Sequence, residues 1–269
     1  MKEVIVRFLS SILYVALIFF TLLAFDTPLG FIVLLFILAI LTLNEFLQLV
    51  NLKAYIAYLL LAISFYFISY KEISDSLVLL LLGITLLVNV FLFKDVILQN
   101  KLSLFKKRRY FCILFYIISG FLFLSLIPSI GKEFEPKIIL GIFILAWSND
   151  TFAYLIGKRF GKRKLLEKIS PKKTIEGFLG GMIGALIISF FIFKYTSLFN
   201  LTIWLFLAII ISVLGTTGDL IQSKFKRLAG VKDSGKIMPG HGGVYDRLDS
   251  IIYASPFIYT FLAIIDYVS

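Results

Sequence analysis

Charged side chains are scarce in this chain. They make up 16% of its 269 residues, while 60% are hydrophobic; a soluble domain is about a quarter charged and about half apolar. One water-soluble core cannot bury this much Leu, Ile and Phe, so a bilayer has to act as solvent for most of the chain. Cysteine is down to Cys112, which excludes a disulfide framework and a thiolate metal site. Between Phe111 and Ile113 it reads as a buried, inert thiol. Histidine is down to His241, too few for a centre built on imidazoles. A small-residue cleavage site is missing as well. The apolar run after Met1-Lys2-Glu3 continues to about Phe25, so it is expected to stay as a span and not to be removed as a signal peptide. Internal repeats, low-complexity tracts and a soluble domain are all lacking.

What is present is a series of long apolar runs. A membrane helix takes about 20 mostly apolar residues, and that rule places spans near 7–25, 29–48, 54–70, 76–93, 110–129, 138–156, 177–195, 201–221 and 249–267. The expected class is an all-α polytopic membrane protein of about nine transmembrane helices. Positive loops stay on the cytoplasmic side. With the N-terminus there, the other side keeps only Lys71, Lys132, Lys137 and Lys194 of the 27 lysines and arginines. The C-terminus is then outside, and the net charge of +11 needs no nucleic acid to explain it. Residues 1–109 read as N-terminal helices plus a basic interfacial linker at 94–109, held by anionic headgroups. Asn44 and Glu45 read as a helix end reaching those headgroups. Residues 110–269 carry the concentrated polar features.

Three polar stretches stand out in that second part. Ser148-Asn149-Asp150-Thr151 interrupts an apolar helix; an ionisable residue there is costly and faces the bundle interior or a water-filled cavity. Asn149 and Asp150 are candidates for holding a ribose, a base or a cation, with helix–helix adhesion as the plain alternative. The second stretch is basic and ends Ser170-Pro171-Lys172-Lys173-Thr174-Ile175-Glu176-Gly177. Ser170 is expected to cap a helix that Pro171 opens, offering exposed amides to phosphate beside two lysines. A simple positive-inside loop is the alternative. The third stretch runs from Gly218-Asp219 through Ser223-Lys224-Phe225-Lys226-Arg227 and Lys232-Asp233 to Gly240-His241-Gly242-Gly243 and Asp246-Arg247-Leu248-Asp249. Asp219 is expected near a helix C-terminus, where the dipole disfavours a carboxylate unless a cation offsets it. Asp246 and Asp249, three apart, share a helix face. Hard oxygens at a membrane boundary suit Mg²⁺, and the glycines let backbone amides approach phosphate.

This third stretch resembles the signature of the phosphatidate cytidylyltransferase (CDP-diacylglycerol synthase) family: Ser223, Lys226-Arg227, Lys232-Asp233, then His241-Gly242-Gly243 and Asp246-Arg247-x-Asp249. Ser148-Asn149-Asp150, Gly157, Gly161 and the 170–177 run also match that family's pattern. The resemblance implies a metal-dependent transfer of the cytidylyl group of CTP to phosphatidate in phospholipid biosynthesis, with pyrophosphate released. It makes Asp219, Asp246 and Asp249 the expected ligands of Mg²⁺, with a second cation left open. It also gives catalytic parts to Lys226, Arg247 and His241. Substrate contacts would come from Asn149, Asp150, Ser170, Lys172, Lys173, Thr174, Glu176, Arg227, Lys232, Gly242 and Gly243. Integral placement in the cytoplasmic membrane, with the site facing the cytoplasm, suits a soluble nucleotide and a lipid. A homo-oligomer is left open. The rival readings are a CTP-dependent kinase of a lipid alcohol, which would release CDP, and a transporter.

Overall fold

Each long apolar run becomes a helix, because a chain in lipid must satisfy its backbone polar groups within the segment. The computed structural model describes residues 2–25, 27–70, 74–98, 109–131, 133–238, 240 and 242–268. His241 and the basic 99–108 stretch, both singled out by the sequence, lie outside the described residues. The helices are α1 (Lys2–Leu23), α2 (Leu29–Leu49), α3 (Tyr55–Tyr70), α4 (Asp75–Ile97), α5 (Arg109–Ser129), α6 (Pro136–Phe160), α7 (Ile175–Thr196), α8 (Leu201–Leu228) and α9 (Tyr245–Val268). α5 passes through a π-helical turn at Ile113–Ile118 and ends in a 3-10 turn at Ile127–Ser129.

Nine helices thus occupy the described residues, one at each expected run. Among the described residues, α2 and α4 to α9 are long and apolar enough to cross a membrane. Leu79, Leu80, Ile187, Phe190 and Phe191 are exposed on their outer faces. Lipid covers such a surface at no cost, whereas water would not. This is the architecture of an all-α polytopic membrane protein.

α6 and α7 pack closely because α7 presents glycine at 177, 180, 181 and 184. A Cβ at Gly181 would stand 2.7 Å from the Asn149 carbonyl oxygen, and one at Gly180 would stand 2.6 Å from Ile156 Cβ. Small residues four apart let membrane helices approach this far. The approach carries Asn149 and Asp150 to the side of α7 and α8.

Two expectations are corrected. Ser170 and Pro171 do not open a helix: Ser170–Thr174 is a strand, β2, antiparallel to β1 (Lys164–Leu166), with Leu166 opposite Ser170 and Lys164 opposite Thr174. Pro171 pushes the residue before it towards extended backbone. Thr174, itself extended, is the true cap of α7, its Oγ1 accepting from Gly177 N at 3.1 Å. The small hairpin is also the one departure from all-α among the described residues. Second, α8 does not end near Asp219 but continues to Leu228. Asp219 is therefore inside the helix, and a dipole penalty at its end is not what that carboxylate meets.

Candidate active site

One end of the bundle gathers the C-terminal parts of α2, α4, α6 and α8 with the N-terminal parts of α7 and α9. A cavity of about 610 Å³ opens there. α8 lends it Asp219, Gln222 and Lys226, three and four residues apart and so on one face. α9 lends Asp246, Arg247 and Asp249, α6 lends Trp147 and Asp150, and α1 lends Tyr14. Asp246 and Asp249 do share a face, as their spacing requires.

Asp246 organises the loop that precedes α9. Its Oδ1 accepts from Lys226 Nζ at 2.7 Å and Gln222 Nε2 at 2.9 Å. Its Oδ2 accepts from Ser234 N at 2.8 Å and Gly243 N at 2.9 Å. A loop can wrap round one carboxylate this way only where its backbone turns freely, and Gly240 and Gly242 hold φ of +74° and +87°, a region other residues enter at a cost.

Asp219 is held from the other side. Lys173, at the end of β2, places its Nζ 2.5 Å from Asp219 Oδ2, and Ser223 Oγ donates to Oδ1 at 3.2 Å. Burial pushes the Lys173 ammonium down, but the Asp219 carboxylate, with Asp150 and Asp249 behind it, outweighs this and holds its pKa above the usual lysine value. Behind the pair lies a second cavity of about 600 Å³, with Lys158, Lys164, Lys172 and Lys173 around Ala153, Tyr154, Leu165, Pro171 and Phe178. Asp150 and Asp219 line both cavities. A polar chamber and a half-apolar, lysine-lined one meet at these two acids.

The cytidylyltransferase family model matches residues 5–265. This chain belongs to that family. The phosphatidate cytidylyltransferase of Staphylococcus haemolyticus (strain JCSC1435) is 46% identical to it over 145 residues, 53% of this chain and 54% of that protein. Those of Staphylococcus aureus (strain COL) and Staphylococcus epidermidis (strain ATCC 35984 / DSM 28319 / BCRC 17069 / CCUG 31568 / BM 3577 / RP62A) are 45% and 42% identical over the same length and coverage. The aligned stretch spans about half the length of these relatives.

In this family member, the signature residues converge unevenly. Lys232 lines a third cavity of about 430 Å³ with Gly240, Gly242 and Arg247; Asp233, Met238 and Arg247 join it to the first. Lys172 is exposed at the second cavity and Thr174 is buried in its wall. Glu176 turns to the hairpin base, accepting from Lys162 N at 3.0 Å and Arg163 N at 3.1 Å. Arg227 turns likewise, its Nε donating to the Ile169 carbonyl at 3.4 Å. Ser170 stands in the hairpin, and Gly243 packs so tightly that a Cβ there would collide with Ser234 Oγ and Glu45 Oε2.

Four residues escaped the sequence reading. Tyr14 is the furthest in sequence from the signature; its hydroxyl is buried with no hydrogen-bond partner among the described residues, and it lines the first cavity. Gln222 and Ser234 hold Asp246; the polarity of Gln222 in an apolar helix was an available signal, whereas Ser234 stands in a polar loop that gives none. Glu45 was read as reaching headgroups. It is instead 1% exposed and bonded to the loop before α9.

The donor set fits a hard cation. Gln222 Oε1 is buried without a hydrogen-bond partner among the described residues, and Gln222 lines a cavity that five carboxylates also line. Among the described residues no three acidic, histidine or cysteine groups converge to hold a metal by themselves. Such a set suits Mg²⁺, which takes one or two carboxylates and completes its shell with water and substrate phosphates.

Proposed function

We propose that the chain transfers the cytidylyl group of CTP to phosphatidate, giving CDP-diacylglycerol and pyrophosphate, in phospholipid biosynthesis. The observation that carries this reading is the pair of unlike cavities meeting at Asp150 and Asp219. A water-soluble triphosphate fits the polar chamber, where Lys226, Arg247 and, through the adjoining cavity, Lys232 face its phosphates. An acyl-bearing phosphate fits the second cavity, with Lys158, Lys164 and Lys172 on the headgroup and Tyr154, Leu165 and Phe178 on the first carbons of the chains. The names of the Staphylococcus relatives support the same substrate pair.

A phosphatidate oxygen attacks the α-phosphorus of CTP. The new P–O bond forms as the bond to the β-phosphate oxygen breaks, and pyrophosphate leaves with that electron pair. The nucleophile is already anionic, so no strong base is required. Lys173 and Lys226 stand where negative charge accumulates, and fixed charges aimed at developing charge are the largest source of such catalysis. Holding two anions in line is the other part of the work. Asp219 and Asp249, with Asp246 and Gln222 beside them, would hold Mg²⁺. When bound, it supplies a Lewis acid that neutralises phosphate charge.

In the membrane the nine helices would all span, the N-terminus and the site on the cytoplasmic side of the cytoplasmic membrane and the C-terminus outside. The test uses detergent-purified protein with phosphatidate, Mg²⁺ and CTP labelled at the α-phosphate. Label passing into the organic phase, dependent on both phosphatidate and Mg²⁺, is the expected result. Aqueous CDP formed on adding a lipid alcohol, with no labelled lipid, would replace this reading by the kinase one.

A further inference from the structure

We infer that Glu45, on α2, is a positioning residue for the catalytic loop: it clamps the start of α9 and shares the Ser234 hydroxyl with Asp246. The inference rests on the function proposed above but concerns a residue of the N-terminal half. Glu45 Oε1 accepts from Val244 N at 3.0 Å, and Oε2 accepts from Tyr245 N at 2.9 Å. The first amides of a helix have no partner within it. They are normally met by a side chain two or three residues upstream; here a carboxylate 200 residues away in sequence does so, at the positive end of the helix dipole.

The contact is built on both sides. A Cβ at either Gly235 or Gly243 would collide with the Glu45 carboxylate, so the loop is shaped to admit it. Beneath it the Phe46 ring packs 5.3 Å from Phe225 and 6.0 Å from Tyr245, centroid to centroid. α2 is thereby fixed against the two helices that bear the acids.

Ser234 links Glu45 to the site. Its Oγ lies 2.8 Å from Glu45 Oε2 and 2.9 Å from Asp246 Oδ2. One hydroxyl proton serves one acceptor at a time, so the hold on Asp246 depends on Glu45. Glu45 does not line the cavity itself; it acts by setting where Asp246 and the Gly243 amide stand.

The test compares wild type, Glu45→Gln, Ser234→Ala and the double variant for kcat and for KM of CTP. Loop amides 242–246 are followed by hydrogen exchange in the same detergent. Glu45→Gln sets an amide NH₂ against donors, and kcat is expected to fall about ten-fold or more, the scale of losing a hydrogen bond to a charged group. KM for CTP is expected to change little. The double variant is expected to fall no further than the worse single one, since both break one linkage. An unchanged kcat, or effects that multiply, would overturn the inference. If Glu45→Gln does not accumulate as folded protein, Glu45→Asp, which keeps the charge and shortens the reach, takes its place with the same expectations. A wild-type protein that labels no lipid would sink the proposed reaction. The exchange arm then decides alone: faster exchange at Val244 and Tyr245 in the variant supports the clamp, and unchanged exchange refutes it.

Discussion

Lys173 Nζ and Asp219 Oδ2 stand 2.5 Å apart, joining the hairpin to α8 where the two cavities meet. Lys173 lines the second cavity, and Asp219 carries the pair to the first. Lys173→Met should lower kcat by about 100-fold, the scale of removing one fixed charge-stabilising donor, with the fold retained. If the pair only tethers β2, melting temperature will drop while kcat of the remaining folded protein stays near wild type. The sign of the pH dependence follows from the raised Lys173 pKa. The stability it contributes is fully present below the unfolded lysine value of about 10.4 and is lost only as pH rises through the folded value. Activity near neutral pH is therefore not limited by this group.

Gln222 donates to Asp246, lines the cavity, and leaves Oε1 buried without a partner among the described residues. Gln222→Leu keeps the volume and removes both functions. A drop of about ten-fold in kcat is expected, together with a higher Mg²⁺ requirement, read from initial rates across a metal titration. A variant with the wild-type metal curve would exclude Gln222 from the cation's surroundings.

Chelation with EDTA should abolish lipid labelling, and excess Mg²⁺ should restore it. Asp219→Asn should then need more Mg²⁺ for half-maximal rate, because a carboxylate among the proposed ligands is lost. Full activity in EDTA would remove the metal from the reaction.

Gly242 holds a φ of +87°. Gly242→Ala should destabilise the loop by about 1–2 kcal/mol, and its Cβ would also crowd Asp246 Oδ2 at 2.8 Å. The expected result is a protein that melts close to wild type but turns over far more slowly. Equal losses in melting temperature and in rate would instead assign Gly242 to global folding.

Thr174→Val removes the hydroxyl that caps α7 while keeping its shape. A stability loss of about 1 kcal/mol is expected, measured by thermal unfolding in detergent. Ser170→Ala, by contrast, should leave α7 unaffected, since Ser170 lies in the strand.

The helices were legible because the signal for each lies within its own segment. An apolar run of about 20 residues states its environment without reference to any partner, and each expected run contains a helix. The Asp246 and Asp249 pairing was legible for a similar reason, being fixed by helical periodicity. The helix start at Ser170 was misread because Ser-Pro suits a cap locally. The antiparallel partner strand that makes this stretch extended lies across a turn that composition does not announce.

By itself, then, the sequence determined the membrane class, the helix runs and the polar signature that marks the family, all properties of contiguous residues. Tertiary structure alone decided that Glu45 is a buried clamp and not a headgroup contact, that Tyr14 of the first helix lines the first cavity, and that Lys173 pairs with Asp219. The physical reason is that burial and pairing of a polar side chain depend on which distant groups meet it. A glutamate at the end of an apolar helix has the same local sequence whether lipid headgroups or the amides of another helix receive it.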